Sequence, residues 1–178
     1  NIVGDGNGKV WLGTADGLNI FDPLTNSLKV LDKDSLHGIG GNYIRPCVIN
    51  RERKKVWLFA GPEEGQAKTY ELDRATGKCQ EIIFKGIAGN IVAKSFAKFF
   101  IPYRDGCLVT LSSSDRQTLL YQLTPGSAEA KLLLNLPYGK FYLFPTLADN
   151  DRHLYLKAID EKENLSFEFI NNQWTRKH

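Results

Sequence analysis

Residues that could perform nucleophilic chemistry are few in this chain of 178 residues. Histidine occurs only as His37, His153 and His178, and no GxSxG or HExxH motif is present. The run Ser112-Ser113-Ser114-Asp115 falls in a predicted loop between two strands, where serine and aspartate commonly form turns. The sequence therefore favours a turn at this run and gives little support for nucleophilic catalysis.

Two acidic clusters also fall in predicted loops. We interpret Glu63-Glu64 and Asp160-Glu161-Lys162-Glu163 as solvated loop tips. A pair of carboxylates for glycoside hydrolysis stays open, because that reaction depends on a separation between two carboxyl groups that a sequence does not state. No cofactor or metal motif accompanies these acids. We therefore expect no catalytic residue, no cofactor and no metal ion in this chain.

The glycine-rich segment Gly4-Asp5-Gly6-Asn7-Gly8-Lys9 invites two functional interpretations. As a phosphate-binding loop it lacks the Lys-Ser/Thr ending and precedes a strand, whereas an anion would need a helix N-terminus. As a calcium loop it has Lys9 in the third ligand position and no closing glutamate. A hairpin tip, in which Asp5 bonds its own backbone, is favoured, and the turn Arg104-Asp105-Gly106 recurs in the matching place.

Composition and charge indicate an ordinary globular chain. It is 42% hydrophobic and 24% charged, and its net charge of +3 is spread along the sequence. We therefore expect no nucleic-acid partner, and we interpret the basic stretch Arg51-Glu52-Arg53-Lys54-Lys55 as a solvated turn. No run approaches the roughly 18 consecutive apolar residues of a membrane helix, so we expect a soluble chain.

The cysteines and the missing methionine concern processing and compartment. Cys47, Cys79 and Cys107 are odd in number, lack CxxC spacing and lie in apolar segments. We predict buried free thiols, although one disulfide stays open. The chain begins at Asn1 and contains no methionine, so we expect flanking sequence to have been removed.

An internal repeat sets the expected fold. The segment Lys9–Thr14 is echoed by Lys55–Ala60, Cys107–Leu111 and His153–Ala158. Counting between Val10, Val56, Leu108 and Leu154 gives intervals of 46, 52 and 46 residues. Such a period is typical of β-propeller blades, which take about 40 to 50 residues each.

Further strand-like runs flank each echo, which makes four short strands per repeat. Asp16-Gly17, between two apolar runs, predicts a hairpin with a type I′ turn. The central runs, such as Val56-Trp57-Leu58-Phe59, are almost continuously apolar, as expected for a sheet covered on both faces. We predict an all-β fold, a β-propeller segment of about four four-stranded antiparallel blades. The predicted blades span residues 1–33, 43–85, 93–135 and 140–177.

The aromatic residues suggest two roles. Trp11, Trp57 and Tyr155 recur at one position of the repeat, and we interpret them as residues that pack blades together. A second set lies at or near the starts of the innermost strands, beside loops that reach the mouth of the central channel. These residues could form a rim that stacks on a sugar and bonds its hydroxyls, with ordinary packing and capping as the alternative. The predicted rim consists of Asn42, Tyr43, Arg45, Tyr138, Lys140 and Tyr142.

The first repeat resembles a known family. Residues 5–14, DGNGKVWLGT, and residues 16–26, DGLNIFDPLTN, resemble the two-component regulator propeller repeat, which typically reads D-x-x-G-x-[LV]-W-[IL]-G-T and then D-G-L-N-x-[FY]-D-P-x-T. The segments Asp34–Leu36 and Gly41–Arg45 look like its linker into the next inner strand. The resemblance is specific over roughly residues 5 to 60, and the third and fourth repeats retain only the strand spacing.

The resemblance implies a function in signalling. Proteins of that family have large periplasmic propeller domains followed by a transmembrane helix and a histidine kinase, and are often hybrid sensors that respond to carbohydrate. The chain would then be an extracytoplasmic, ligand-sensing segment of a two-component sensor histidine kinase, located in the periplasm, with a membrane-anchored parent chain. Its partners would be an oligosaccharide and further blades or a second copy, which would cover the apolar faces of the terminal blades. The alternatives are a propeller-fold carbohydrate-active enzyme and a protein-interaction scaffold.

Overall fold

The computed structural model describes residues 2–50, 54–62, 67–86, 96–112, 118–136, 142–148, 153–159, 164–170 and 173–177. Within these ranges the chain forms β-strands joined by turns, without an α-helix. No helix of the described ranges therefore has the length and apolar character needed to cross a membrane. The predicted all-β class is confirmed.

The strands form four sheets, which we call blades 1 to 4 in chain order. Blade 1 holds β1 (Ile2–Gly4), β2 (Val10–Thr14), β3 (Gly17–Asp22) and β4 (Ser27–Leu31). Blade 2 holds β5 (Tyr43–Asn50), β6 (Lys55–Gly61), β7 (Lys68–Asp73) and β8 (Cys79–Glu81). Blade 3 holds β10 (Phe96–Tyr103), β11 (Gly106–Ser112), β12 (Thr118–Leu123) and β13 (Glu129–Leu136), with β9 (Ile83–Phe84) added. Blade 4 holds β14 (Tyr142–Ala148), β15 (His153–Ile159), β16 (Asn164–Ile170) and β17 (Gln173–Lys177).

Each blade is an antiparallel meander whose strands pair in chain order. The first strand of each blade lies at one edge of its sheet, and the first strands of successive blades contact each other: β1 contacts β5, and β5 contacts β10. These strands therefore line the common axis, and the later strands lie further out. This arrangement is that of a partial β-propeller.

The third sheet has a fifth strand that comes from the preceding segment of the chain. Strand β9 pairs in parallel with β13, joining Ile83 to Glu129 and Phe84 to Ala130. We predicted one continuous strand from Cys79 to Phe84. Instead, β8 pairs within blade 2 and β9 pairs at the outer edge of blade 3, so the chain links the two blades through backbone hydrogen bonds.

Apolar side chains fill the spaces between blades. Trp11 pairs with Ile20, and Ile20 with Lys29, so these three residues lie on the flank of blade 1 that faces blade 2. The first cluster, between blades 1 and 2, contains Trp11, Leu18, Leu36, Ile44, Val56, Leu58, Ala60, Tyr70, Leu72 and Cys79. The second, between blades 2 and 3, contains Trp57, Ile82, Phe84, Cys107, Val109, Leu111, Leu119, Tyr121 and Leu123.

The third repeat is shifted by one residue from the predicted alignment. In blade 2, Val56 pairs with Leu72 on the flank facing blade 1. In blade 3, the flank facing blade 2 carries Cys107, which pairs with Leu123. Cys107 therefore occupies the place of Val56, and our assignment of Leu108 to that place was wrong. Because neighbouring residues of a strand point to opposite faces, this single step exchanges the two flanks of the blade.

The predicted packing role is confirmed for two of the three recurring aromatic residues. Trp11 and Trp57 are 3% and 0% exposed and lie against the following blade. Tyr155 is 40% exposed, on the flank of blade 4 that no described blade follows. In blade 3 the same place is taken by Leu108, which is buried.

Blade 1 exposes the apolar flank that faces away from blade 2. Ile2 and Val30 lie in one row across the sheet and Leu28 in the next, and their exposed fractions are 69%, 52% and 60%. On the equivalent flank of blade 2, Val56 and Leu58 are fully buried against blade 1. The expected apolar face of a terminal blade is therefore present in blade 1.

Both free thiols that the structure describes are buried. Cys79 and Cys107 carry no disulfide, as predicted, and burial raises the pKa of the Cys79 thiol to about 11. The side chain of Cys47 lies outside the description.

The hairpin between β2 and β3 forms, but its turn differs from the predicted one. Thr14 pairs with Gly17, the two loop residues are Ala15 and Asp16, and only Gly17 has a positive φ, of 131°. The type I′ prediction, which needs positive φ at both loop residues, was therefore wrong.

Replacing Gly17 with alanine should lower the free energy of unfolding by about 1–3 kcal/mol. An added Cβ would lie 2.7 Å from the backbone oxygen of Leu31, in a conformation that L-residues rarely adopt. The control is Gly4→Ala in the same blade, where a Cβ would meet nothing within 4 Å. Urea unfolding of both variants provides the measurement, and equal losses would contradict the strain at Gly17.

Candidate functional site

The six residues of the predicted channel-mouth rim are only partly described. Tyr138 and Lys140 lie outside the described residues, and so does the side chain of Tyr142. The backbone of Tyr142 begins β14, the first strand of blade 4, as Tyr43 begins β5 in blade 2. Both tyrosines thus start the innermost strand of their blade.

Tyr43 and Arg45 come together at the start of β5. Both are half-buried, and the guanidinium carbon of Arg45 lies 5.6 Å from the centre of the Tyr43 ring, a cation–π distance. Asn42 has a different position in the network: its side-chain oxygen accepts a hydrogen bond from the Lys33 amide at 2.8 Å, which fastens the linker between blades 1 and 2. Tyr43 and Arg45 are therefore the better placed candidates for ligand contact.

A charged contact joins the inner turn of blade 1 to the outer turn of blade 2. The side-chain oxygen Oδ1 of Asp5 accepts hydrogen bonds from the amides of Asn7 at 2.8 Å and Lys9 at 3.1 Å. Its Oδ2 accepts one from the Arg74 guanidinium at 2.8 Å, and Arg74 also lies over the Trp11 ring, 5.1 Å from its centre. The predicted hairpin tip, with Asp5 bonding its own backbone, is confirmed, and the ion pair to blade 2 is new.

Asp5 is fully buried and yet ionised. Burial by itself would raise the pKa of its carboxyl, but the amide hydrogen bonds from Asn7 and Lys9 and the positive charge of Arg74 together lower that pKa below its ordinary value. The carboxylate is a structural acceptor whose three donors are all provided by the fold.

A second network holds the same outer turn of blade 2. Asp73 accepts hydrogen bonds from the amides of Ala75 and Thr76 through one oxygen and from Lys55 at 3.0 Å through the other. These contacts, that of Lys55 first, lower the pKa of Asp73 to about 2. Lys55 also lies 3.3 Å from Glu71, whose carboxylate accepts the Gly126 amide of blade 3. The network thus connects three elements of two blades.

Asp73→Asn should remove part of the acid sensitivity of the fold. A carboxyl whose pKa falls from 3.8 to about 2 on folding contributes stability above pH ~4, and this contribution is lost as the pH falls from about 4 to about 2. The difference in Tm between the wild-type chain and the variant should therefore be larger at pH 6 than at pH 3. Asp16→Asn, at an exposed loop position, is the control and should match the wild type at both pH values. A constant difference for Asp73→Asn would contradict the prediction.

Between the outer parts of blades 1 and 2 lies an open cleft of about 410 Å³, which we call the interblade cleft. Blade 1 provides its floor through Trp11, Ile20 and Leu31, of which Ile20 and Leu31 are half-buried. The charged side chains around it are Lys9, Asp22, Lys29, Asp73 and Arg74. Its volume lies within the range of small-molecule sites, about 300–1,000 Å³.

Most charges around the interblade cleft are already paired. Lys9 lies 3.1 Å from Asp22, Arg74 pairs with Asp5, and Asp73 pairs with Lys55. Lys29 stands apart, because none of the described residues gives it an ion pair or a hydrogen bond. The cleft therefore holds one ammonium group whose charge is not balanced by the part of the chain that the structure describes.

The interblade cleft was missed in the sequence, because its lining comes from strands far apart in the chain. Asp22 and Asp73 both end the third strand of a blade and were recognised as turn residues. Nothing in their local pattern shows that the turn after Asp73 faces the row that contains Lys29.

The remaining predicted loops cannot be compared. The acidic clusters at residues 63–64 and 160–163, the serines at 113–114 with Asp115, and residues 51–53 of the basic turn lie outside the described residues. Among the described residues, no three His, Cys, Asp or Glu side chains are grouped as a metal site would require.

Comparison with known proteins supports the fold. The sequence matches no family model and no curated protein. Among solved structures, the chain is similar to the dihydro-heme d1 dehydrogenase NirN in complex with DHE, with a TM-score of 0.62 and 16% identity over 98% of this chain and 36% of that chain. It is also similar to the extracellular domain of the putative hybrid two component system BT3049 from B. thetaiotaomicron, with a TM-score of 0.45 and 12% identity over 99% of this chain and 29% of that chain.

These similarities are at the level of architecture. At 16% identity the likeness to NirN shows the fold alone, and a TM-score of 0.45 is too low to carry an inference about function. The chain spans about a third of the length of either protein. The class that fold and comparison define together is an all-β, partial β-propeller.

Proposed function

We propose that this chain is an extracytoplasmic, ligand-sensing segment of a two-component sensor histidine kinase, and that it responds to carbohydrate. The observation that carries the proposal is the fit between the family-like residues and the blade that they build. Asp5 closes the first turn, Trp11 packs on the next blade, and Asp22 accepts the Leu24 amide in the turn that leads to β4. The residues that resemble the two-component regulator propeller repeat thus each have a structural task in blade 1.

The mechanism that we propose is binding without turnover. A ligand that binds one arrangement of the receptor more tightly than another shifts the population between them by its difference in affinity. The channel-mouth rim is the proposed contact, with the Tyr43 ring as a stacking surface and Arg45 as a donor to hydroxyl groups. The proposal places the chain in the periplasm, with a membrane-anchored parent chain, and assigns it no catalysis of its own.

The exposed flank of blade 1 supports a further part of the proposal, which concerns partners. Its apolar residues Ile2, Leu28 and Val30 correspond to a flank that is buried in blade 2. In the sensor we propose, further blades or a second copy cover it.

A thermal-shift screen against oligosaccharides tests the proposal. A ligand that binds only the folded chain raises its Tm in a concentration-dependent way. We expect at least one oligosaccharide to do so, and Tyr43→Ala to reduce the shift while leaving the Tm of the free chain within a few degrees. A chain that hydrolyses the glycan that it binds would support the enzyme alternative, and a chain that no glycan stabilises would favour a protein-interaction scaffold.

A further inference from the structure

We propose that the interblade cleft is a second ligand site and that it takes a carboxylate-bearing saccharide. That the ligand is a saccharide rests on the proposed function, whereas the anionic group follows from the cleft itself. The site is distinct from the channel-mouth rim, since it lies between the outer strands of blades 1 and 2.

Lys29 provides the anion-binding group. It lies in the row Trp11–Ile20–Lys29 across blade 1, so its side chain is on the flank that faces the cleft. The surrounding acids do not neutralise it: Asp22 is held by Lys9 and the Leu24 amide, and Asp73 by Lys55 and its own turn. An ammonium group at the mouth of an otherwise balanced cleft favours a negatively charged ligand.

Charge balance gives the same sign. The cleft is lined by three cationic side chains, Lys9, Lys29 and Arg74, and by two acids, Asp22 and Asp73. The excess positive charge comes from Lys29. A ligand that brings one carboxylate to this position would complete the balance and form a charge-assisted hydrogen bond.

The rest of the lining suits the ring of a sugar. The half-buried Ile20 and Leu31 offer a small apolar surface for the C–H face of a pyranose. The carboxylates of Asp22 and Asp73 and the hydroxyl of Ser35, all at the same cleft, have acceptor capacity beyond their present bonds, because each carboxylate oxygen can accept two. Trp11 contributes only to the floor, since it is 3% exposed and the Arg74 guanidinium covers its ring.

Titration calorimetry with the galacturonate trimer tests the inference. We expect the wild-type chain to bind the trimer, and Lys29→Gln to weaken binding about tenfold, as expected for the loss of one charge-assisted hydrogen bond. The matched control is Lys33→Gln, an exposed lysine nearby that does not line the cleft, and it should bind like the wild type. Lys29 is itself exposed on an outer strand, so its variant should keep the wild-type Tm.

The methyl ester of the same trimer separates charge from shape. It keeps the sugar backbone and removes the negative charges, so we expect it to bind at least tenfold more weakly than the free acid. Equal binding of acid and ester, or equal weakening by Lys29→Gln and Lys33→Gln, would overturn the inference. Equal binding of the trimer and of acetate would overturn its saccharide part.

The two proposals fail in different ways. If a neutral oligosaccharide raises the Tm and Tyr43→Ala reduces that shift, while the galacturonate trimer does not bind, the proposed function stands and the cleft inference is overturned. If the trimer binds and Lys29→Gln weakens it, while Tyr43→Ala has no effect on any saccharide, the cleft inference stands and the rim is overturned. If no saccharide binds, both are overturned.

Discussion

Replacing Trp57 with alanine should destabilise the chain by about 3–5 kcal/mol, the usual range for removing a large aromatic side chain from a core. Trp57 is completely buried in the cluster between blades 2 and 3, among Val109, Tyr121 and Phe84. Blade 3 cannot close around a missing indole without moving its whole flank, so most of the cavity should remain. Urea unfolding followed by far-UV circular dichroism measures the loss.

The matched control for Trp57→Ala is Tyr155→Ala. Tyr155 occupies the corresponding place in blade 4 but is 40% exposed, so its removal should lower the free energy of unfolding by less than about 1 kcal/mol. Equal losses at the two positions would contradict the claim that burial by the following blade, and not the residue's place in the strand, determines its contribution.

The two variants should also differ in where protection against hydrogen exchange is lost. Each blade of a repeat fold contacts mainly its neighbours, so a cavity between blades 2 and 3 should weaken both sheets. In Trp57→Ala we expect faster exchange in β6 and β11, and a smaller change in β2. Uniform acceleration over all blades would indicate that the chain unfolds as one cooperative unit.

The architecture could be predicted from sequence because the repeat encodes it locally. Alternating apolar residues, the turn residues around Asp5 and Asp22, and the recurring tryptophans are each visible within one blade. The strands expected at Tyr43–Ile49, Ser95–Ile101 and Lys140–Leu147 correspond to β5, β10 and β14. Local patterns of this kind do not depend on how the blades are packed.

The facing of the third repeat could not be predicted in the same way. Cys107 and Leu108 are both apolar and both buried, so composition does not show which of them faces blade 2. Their facing follows from the cross-strand pairs Cys107 with Leu123 and Val109 with Tyr121, which are non-local. A tryptophan in this repeat would have fixed the alignment, as Trp11 and Trp57 do in the first two.

The candidate sites required knowledge of contacts between blades. The channel-mouth rim was predicted from the position of its residues in the repeat, and the structure brings Tyr43 and Arg45 together. The interblade cleft and the ion pair of Asp5 with Arg74 join residues 69 positions apart, and no local pattern relates such residues. Sequence periodicity locates the strands, whereas the charges between blades depend on packing.

The ion pair of Asp5 with Arg74 leads to the second large prediction. Asp5→Ala should lower the free energy of unfolding by about 3–5 kcal/mol, because it leaves an unpaired buried cation and two turn amides without their acceptor. Asp22→Ala is the control: the pair of Asp22 with Lys9 is partly exposed, at 17% and 45% of the two side chains, and should contribute less than about 1 kcal/mol. Similar losses for Asp5→Ala and Asp22→Ala would contradict the special role of the buried pair.

A double-mutant cycle separates the two tasks of Asp5. Arg74→Met removes the charge that Asp5 Oδ2 accepts and keeps an unbranched apolar side chain over the Trp11 ring. If the link between blades dominates, the coupling energy between Asp5→Ala and Arg74→Met should be about 1–3 kcal/mol, as for other contacting pairs. If closure of the β1–β2 turn dominates, the two losses should add, because the amides of Asn7 and Lys9 lose their acceptor whether or not Arg74 is present. We expect coupling, since Asp5 is buried only because blade 2 covers it, and a carboxylate needed for the turn alone could remain in water.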